Sequence, residues 1–174
     1  MNAISRMALL SVVALTLNAA PALAQDQVFF IVRHAERADA PAPAARHPPM
    51  KGPDPALSPA GHARAKRLAN TLREAGVAQI VTTRYRRAKQ TAAPLAQRLN
   101  LKPVTAPDNV GSLIDALRGE RRTTLVIGHS DTVPEIVKGL GVATGVTLRE
   151  QDYDDLFIVV RHESGAATLI RMKY

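Results

Sequence analysis

Five apolar positions in a row, Val28-Phe29-Phe30-Ile31-Val32, give way abruptly to charge at Arg33-His34-Ala35-Glu36-Arg37. A short run rich in β-branched and aromatic residues predicts a buried strand, with Arg33 and His34 at its C-terminal end. The same pattern recurs downstream. Residues 77–81 predict a second strand that runs into Thr82-Thr83-Arg84-Tyr85-Arg86-Arg87, residues 101–105 a third, and residues 123–127 a fourth that runs into Gly128-His129-Ser130-Asp131-Thr132. Helices are predicted between them. Leu57-Ser58-Pro59-Ala60-Gly61 places Ser58 as N-cap and Pro59 at the first helical position, Ala65, Leu68, Ala69 and Leu72 follow at helical spacing, and Gly76 is the expected stop. From about Arg87 to Leu99, Ala88, Thr91, Ala92, Leu95 and Leu99 form one inward stripe, and residues 110–117 and 133–140 predict two further helices. Residues 156–161 and 166–171 flank Glu163-Ser164-Gly165 as a closing hairpin.

Strands alternating with helices predict an α/β fold, a three-layer sandwich with a mainly parallel central sheet and helices on both faces. In such a sheet the segments carrying Arg33-His34, Arg84 to Arg87, and His129 all leave strand C-terminal ends, where ligands bind in open α/β folds. Each taken alone could be a solvated charged turn. Their convergence on one edge is what suggests a site. His62, in the first turns of a helix, is expected to be exposed.

Residues 38–56 carry six of the twelve prolines. Proline fixes φ and removes a donor, so this stretch is expected to be a long loop. Leaving directly from the candidate site, it could rim a pocket with Arg46, His47 and Lys51, or be a mobile solvated segment.

Residues 1–24 form a unit of their own. Arg6 supplies a positive start, an almost continuous apolar run follows, and Ala22-Leu23-Ala24 has the small-x-small form of a cleavage site. The expectation is a signal peptide over 1–24 and one domain over 25–174. The apolar run is shorter than the roughly 20 residues of a spanning helix, so no stable membrane anchor is expected after cleavage, and the location is expected to be secreted, in the periplasm.

Composition narrows the chemistry. The 174-residue chain has no cysteine, which removes thiolate nucleophiles, thiolate metal sites and disulfides. Its formal net charge of +8 favours anionic ligands. Aromatic residues make up only 3% of the chain and form no stacking cluster, so nucleic acid is not an expected partner. Two histidines and at least two arginines at one rim suit phosphoryl transfer. Guanidinium groups stabilise charge on the non-bridging oxygens, one neutral imidazole can attack phosphorus, and a second can donate to the oxygens. No HExxH, EF-hand or paired acidic metal motif appears, and neither a metal nor a cofactor is expected.

Arg33-His34 after an apolar strand, Leu57-Ser58-Pro59-Ala60-Gly61 before a helix, Arg87-Ala88-Lys89-Gln90-Thr91-Ala92, and Gly128-His129-Ser130 after another strand together resemble the histidine phosphatase superfamily, also called phosphoglycerate mutase-like. The four motifs occur in the family's order and span nearly all of residues 25–174. The resemblance implies His34 as nucleophile, Arg33 and Arg87 as phosphate-binding residues, and His129 completing the pocket. Its R-A-x-Q-T pattern selects Arg87 over Arg84 and Arg86, which are expected at the rim or surface.

The proton donor is where the chain departs from the family pattern. The stretch between the R-A-x-Q-T helix and His129 offers Asp108 but no clear glutamate motif, and Ser130 rather than an aspartate follows His129. Glu36 and Asp131 are the remaining acid candidates, each with a structural alternative: Glu36 could orient an arginine and Asp131 could cap a helix. A weak acid favours leaving groups that depart readily, such as a phosphorylated imidazole, over alkyl esters. The expected activity is therefore an exported phosphatase, acting on phosphomonoesters or phosphohistidine in a small phosphorylated substrate or phosphoprotein. The competing class is a non-catalytic module that binds phosphorylated glycans or lipids.

Overall fold

The computed structural model describes residues 26–39 and 54–174. The expected leader over 1–24 and Arg46, His47 and Lys51 lie outside the described residues.

Six strands form one sheet: β1 (Gln27–Arg33), β2 (Gln79–Thr82), β3 (Val104–Thr105), β4 (Thr124–Gly128), β5 (Asp155–Arg161) and β6 (Ala167–Lys173). Four helices join them: α1 (Pro59–Thr71), α2 (Arg86–Leu99), α3 (Val110–Arg118) and α4 (Thr132–Gly139). The spatial order is β3-β2-β4-β1-β5-β6. The first four of these positions pair in parallel, whereas β5 joins β1 and β6 joins β5 antiparallel. The sheet is thus mixed, with its parallel half carrying the helical crossovers.

Strand alternation builds the two faces. In β1, Phe30 and Val32 join Leu68, Ala92 and Leu95 of α1 and α2 in one core, while Phe29 and Ile31 join Leu113, Val133 and Ile136 of α3 and α4 in the other. This is why β1 reads as a continuous apolar run: it is buried on both sides.

Two elements differ from expectation. The third strand is only Val104–Thr105, because Leu101 packs back against the first core and only Val81 and Thr82 of β2 pair with it. Helix α1 ends at Thr71 rather than at Gly76, with Leu72 as C-cap; Gly76 instead supplies a left-handed φ of 70° in the turn before β2.

The topology explains where a ligand can sit. After β1 the chain goes to α1 on one face, and after the neighbouring β4 it goes to α4 on the other. Connections leaving adjacent strand ends in opposite directions open a crevice between them.

Candidate active site

Register brings the two histidines together. Arg33 of β1 pairs with Gly128 of β4, and the His34 N–H donates to the Gly128 carbonyl at 3.0 Å. The next residues, His34 and His129, therefore leave neighbouring strands at the same height. Their ring centroids are 5.1 Å apart in an edge-on arrangement, and both residues are buried. Thr82 of β2 pairs with Ile127, which sets Thr83 beside His129.

Hydrogen bonds select the tautomer of each ring. Nδ1 of His34 lies 2.8 Å from the Ala35 carbonyl, which can only accept, so Nδ1 carries the proton and Nε2 of the neutral ring keeps a lone pair. Burial pushes the His34 pKa well below its ordinary value, with Arg87, Arg33 and Arg37 adding to this against the Ala35 bond. At neutral pH the ring is an uncharged base. His129 has the opposite pattern. Nη2 of Arg87 donates to its Nδ1 at 3.4 Å, so Nε2–H of the neutral ring donates to Oγ1 of Thr83 at 2.9 Å.

Arg33 and Arg87 are only 6% and 5% exposed. Among the described residues neither has a carboxylate within hydrogen-bonding distance: Asp54 forms an ion pair with Arg87 at 3.6 Å from Nη1, and Arg33 donates to the carbonyls of Arg149 at 3.0 Å and Glu150 at 2.7 Å. Burial lowers both guanidinium pKa values from their ordinary level while leaving the groups charged. Their Nε atoms are buried without a hydrogen-bond partner among the described residues. A buried donor left unpaired is costly, and an oxyanion entering the site is a fitting acceptor.

The motifs around the site each perform a local task. Thr91 in α2 accepts from the Ala35 N–H at 3.0 Å and donates to the Arg87 carbonyl at 2.8 Å, tying the segment after His34 to the turn that carries Arg87. Gln90 accepts from the Leu57 N–H at 2.8 Å. Ser58 caps α1 by accepting from Gly61, and its own N–H donates to the Glu36 carbonyl at 2.9 Å. A β-carbon at Gly61 would stand 2.2 Å from that carbonyl oxygen, so only glycine allows the helix start to dock there. On the α3/α4 side of His129 an apolar recess, lined in part by Val81, Ala106, Leu113 and Ile136, shares Thr83 and Gly128 with the site.

A sequence profile described as the histidine phosphatase superfamily (branch 1) matches residues 29–109. Over that stretch, which carries Arg33, His34 and Arg87, the chain is similar to the histidine phosphatase superfamily. Solved structures of phosphatases and mutases share its fold. The protein histidine phosphatase SixA complexed with tungstate superposes with a TM-score of 0.66 at 22% identity, covering 84% of this chain and 97% of that one. A mycobacterial glucosyl-3-phosphoglycerate phosphatase gives 0.57 at 13% identity, covering 86% and 99%. A phosphoglycerate mutase from Plasmodium falciparum gives 0.54 at 13%, covering 86% and 91%. No curated protein sequence matches the chain.

Within this histidine phosphatase fold, His34, His129, Arg33 and Arg87 stand together, and the two acid candidates have structural partners. Glu36 receives Nε and Nη2 of Arg64 at 2.6–2.9 Å. Although burial acts in the opposite direction, these bonds hold its carboxyl below the ordinary glutamate range. Asp131 caps α4, accepting from the Thr132 N–H at 2.7 Å. Arg84 is at the rim, paired with Asp108 at 2.8 Å, while Arg86 and His62 are exposed.

Several contributors have no signature in the four motifs: Tyr153 and the segment 149–153 before β5, Tyr85, and Asp54, whose carboxylate accepts from the Arg86 N–H at 2.9 Å. One signal was available for the tyrosines. The chain has three phenylalanines, three tyrosines and no tryptophan. All three phenylalanines are in the core, whereas Tyr85 and Tyr153 lie beside His129 and His34 with ring centroids 5.2 and 6.2 Å away.

Proposed function

We propose that the chain is an exported, metal-independent phosphatase working through a phosphohistidine at His34. The observation that carries this reading is an uncharged, buried imidazole whose Nε2 keeps its lone pair beside two buried arginines whose Nε donors have no partner among the described residues. In the first step Nε2 attacks phosphorus, forming the N–P bond as the bond to the leaving group breaks. Arg33 and Arg87 balance the charge on the equatorial oxygens, and Nε2–H of His129 turns from Thr83 to donate to one of them. In the second, water attacks phosphorus, the N–P bond breaks, orthophosphate leaves, and His34 returns to its neutral form. Guanidinium groups do here what a metal ion does in other phosphatases.

The leaving group must depart with little help from a carboxylic acid. Glu36 is held ionised by Arg64, and Asp131 is engaged at the α4 N-terminus. Phosphohistidine, as a phosphoramidate, and activated phosphomonoesters fit that limit better than alkyl esters. The likeness to a SixA structure holding tungstate, itself a tetrahedral oxyanion, supports this substrate class in a phosphoprotein or small molecule. The leader-like residues 1–24 support action outside the cytoplasm, in the periplasm.

The test is to incubate protein lacking residues 1–24 with a phosphohistidine peptide and a generic phosphomonoester, then quench in alkali. An alkali-stable, acid-labile phosphate on wild type but not on His34→Ala is the expected outcome. Phosphate binding without labelling or turnover would instead make the chain a binding module for phosphorylated glycans or lipids. Activity unchanged in His34→Ala would remove His34 from the chemistry.

A further inference from the structure

Each buried arginine of the site rests on a tyrosine ring. The guanidinium carbon of Arg33 lies 4.1 Å from the centroid of Tyr153, and that of Arg87 lies 4.3 Å from the centroid of Tyr85. The two tyrosines come from unrelated places in the chain, one before β5 and one at the N-cap of α2. We infer that Tyr153 and Tyr85 are positioning residues, aromatic platforms that fix the planes of Arg33 and Arg87 so that both present donors to a dianionic phosphoryl group. The inference rests on the reading of this site as a phosphate site.

A guanidinium buried in a protein needs something to hold its plane. Carboxylates do this well, but they also cancel the charge that a phosphate site requires. An aromatic face attracts the cation through its quadrupole and leaves its net charge intact. The hydrogen bonds of Arg33 complete the same arrangement. Its Nη1 donates to the carbonyls of Arg149 and Glu150, and its Nη2 donates to the Tyr153 hydroxyl at 3.3 Å. Of the five N–H groups, three are thereby engaged by neutral acceptors. Nε–H and the second N–H of Nη2 remain, and these form one edge of the planar group, the fork that matches two oxygens of a phosphate. Arg87 is similar: Nη2 donates to the neutral His129 ring, Nη1 is 3.6 Å from Asp54, and Nε has no partner among the described residues.

Tyr153 is itself held. The Tyr174 hydroxyl donates to the Tyr153 carbonyl at 3.2 Å, and Arg149 pairs with Asp152 at 3.1 Å across the turn whose carbonyls receive Arg33. The platform thus belongs to a braced segment rather than to a free loop.

The experiment compares Tyr153→Phe with Tyr153→Leu and Tyr85→Phe with Tyr85→Leu. Isothermal titration with inorganic phosphate reads binding without any need for turnover, and steady-state kinetics read KM and kcat separately. Circular dichroism melts report the fold. Phenylalanine keeps the ring face, so Tyr85→Phe is expected within about threefold of wild type in phosphate Kd, while Tyr153→Phe, which also loses the hydroxyl that accepts from Arg33, is expected between wild type and Tyr153→Leu. Each leucine variant is expected to raise Kd and KM together, by about fivefold to thirtyfold, the ratio that corresponds to about 1–2 kcal/mol of lost cation–π interaction. The kcat is expected to change less than KM. Leucine variants that bind phosphate like wild type would overturn the inference, as would Phe variants as impaired as the Leu ones. Should a leucine variant fail to fold, the Phe variant and a Tyr→Trp replacement at the same position decide, since both keep an aromatic face and must retain phosphate binding. If wild type binds phosphate but turns nothing over, the titrations still test the platforms while the enzymatic reading fails separately.

Discussion

Thr91→Val removes one oxygen and tests whether the segment after His34 is held from α2. The side chain is fully buried, and valine has nearly its shape. Thr91 Oγ1 accepts from the Ala35 N–H at 3.0 Å, so valine leaves that buried donor without its acceptor, at a cost of about 1–3 kcal/mol. The bond from Oγ1 to the Arg87 carbonyl is lost as well, a further ~0.5–1.5 kcal/mol, softened because that carbonyl also receives a helical N–H. The added methyl returns about 0.8 kcal/mol through apolar burial. The net expectation is a loss of about 2 kcal/mol, or roughly 4–8 °C in Tm for a domain of this size. Urea unfolding should show a lower midpoint with an unchanged slope, since the surface exposed on unfolding is the same. Thr91→Ser keeps both hydrogen bonds and loses only a methyl, about 1 kcal/mol, so the order must be Thr, then Ser, then Val. Turnover should fall much further in the Val variant, by up to about 100-fold, because an ångström of misplacement in His34 is enough for that. A Val variant more stable than Ser would show that the methyl, not the hydroxyl, matters here, and would refute the reasoning.

Two further outcomes follow from the same geometry. Gly61→Ala puts a β-carbon 2.2 Å from the Glu36 carbonyl oxygen and 3.1 Å from the Glu36 backbone nitrogen, both rigid; a stability loss of about 1–3 kcal/mol is expected in thermal or urea melts, together with reduced turnover, because the atoms that must move adjoin His34. His34, whose folded pKa is depressed by burial, takes up a proton more readily when unfolded; its neutral buried form therefore costs nothing above the ordinary histidine pKa, and stability is lost as pH falls below about 6.5 towards the folded pKa, by up to about 1.4 kcal/mol per pH unit. Melts between pH 7 and pH 5 should show a flatter acid limb in His34→Gln, and identical limbs would mean that the ring is not held neutral.

The fold was legible where burial leaves a period or a run. Residues 28–32 read as a strand because β1 is covered on both faces, and Ala65, Leu68 and Ala69 read as a helix because α1 is covered on one. Strand β3 was found but read too long, as 101–105 rather than Val104–Thr105, since those two residues are exposed and the apolar Leu101 before them packs against the first core. For the site, order along the chain was enough to gather Arg33, His34, Arg87 and His129, because every one of them lies within two residues of a helix or strand whose end could be read. Tyr153 was hidden for the converse reason. It lies in an irregular segment before β5, where neither period nor capping residues say which way a side chain faces, and its importance comes from a contact with Arg33, 120 positions away. Glu36 marks a different boundary. Its proximity to His34 in sequence suggested chemistry, yet the backbone turn after β1 sends its carboxylate to Arg64 of α1.

That diversion of Glu36 bears on how the centre stays positive. Among the described carboxylates close in sequence or space to the site, Glu36 is committed to Arg64, Asp39 to Arg37, Asp108 to Arg84 and Asp152 to Arg149. Each of these pairs lies at the periphery, where partial solvation makes an ion pair nearly neutral in energy. Arg33 and Arg87, inside, are held by tyrosine rings, carbonyls and an imidazole, groups that orient a cation without cancelling it, and Asp54 stands off at 3.6 Å from Arg87 while accepting from the Arg86 N–H. A carboxylate contacting either arginine would spend in the resting protein the attraction reserved for phosphate, and would repel the dianion as it approached. The same arrangement explains why a strong carboxylic acid is missing beside His34. Any carboxyl placed between these guanidiniums would be ionised, and would then serve as a counter-ion rather than as a proton donor. A positive centre and a weak acid are thus two results of one placement of charge, and both favour leaving groups that can depart unaided.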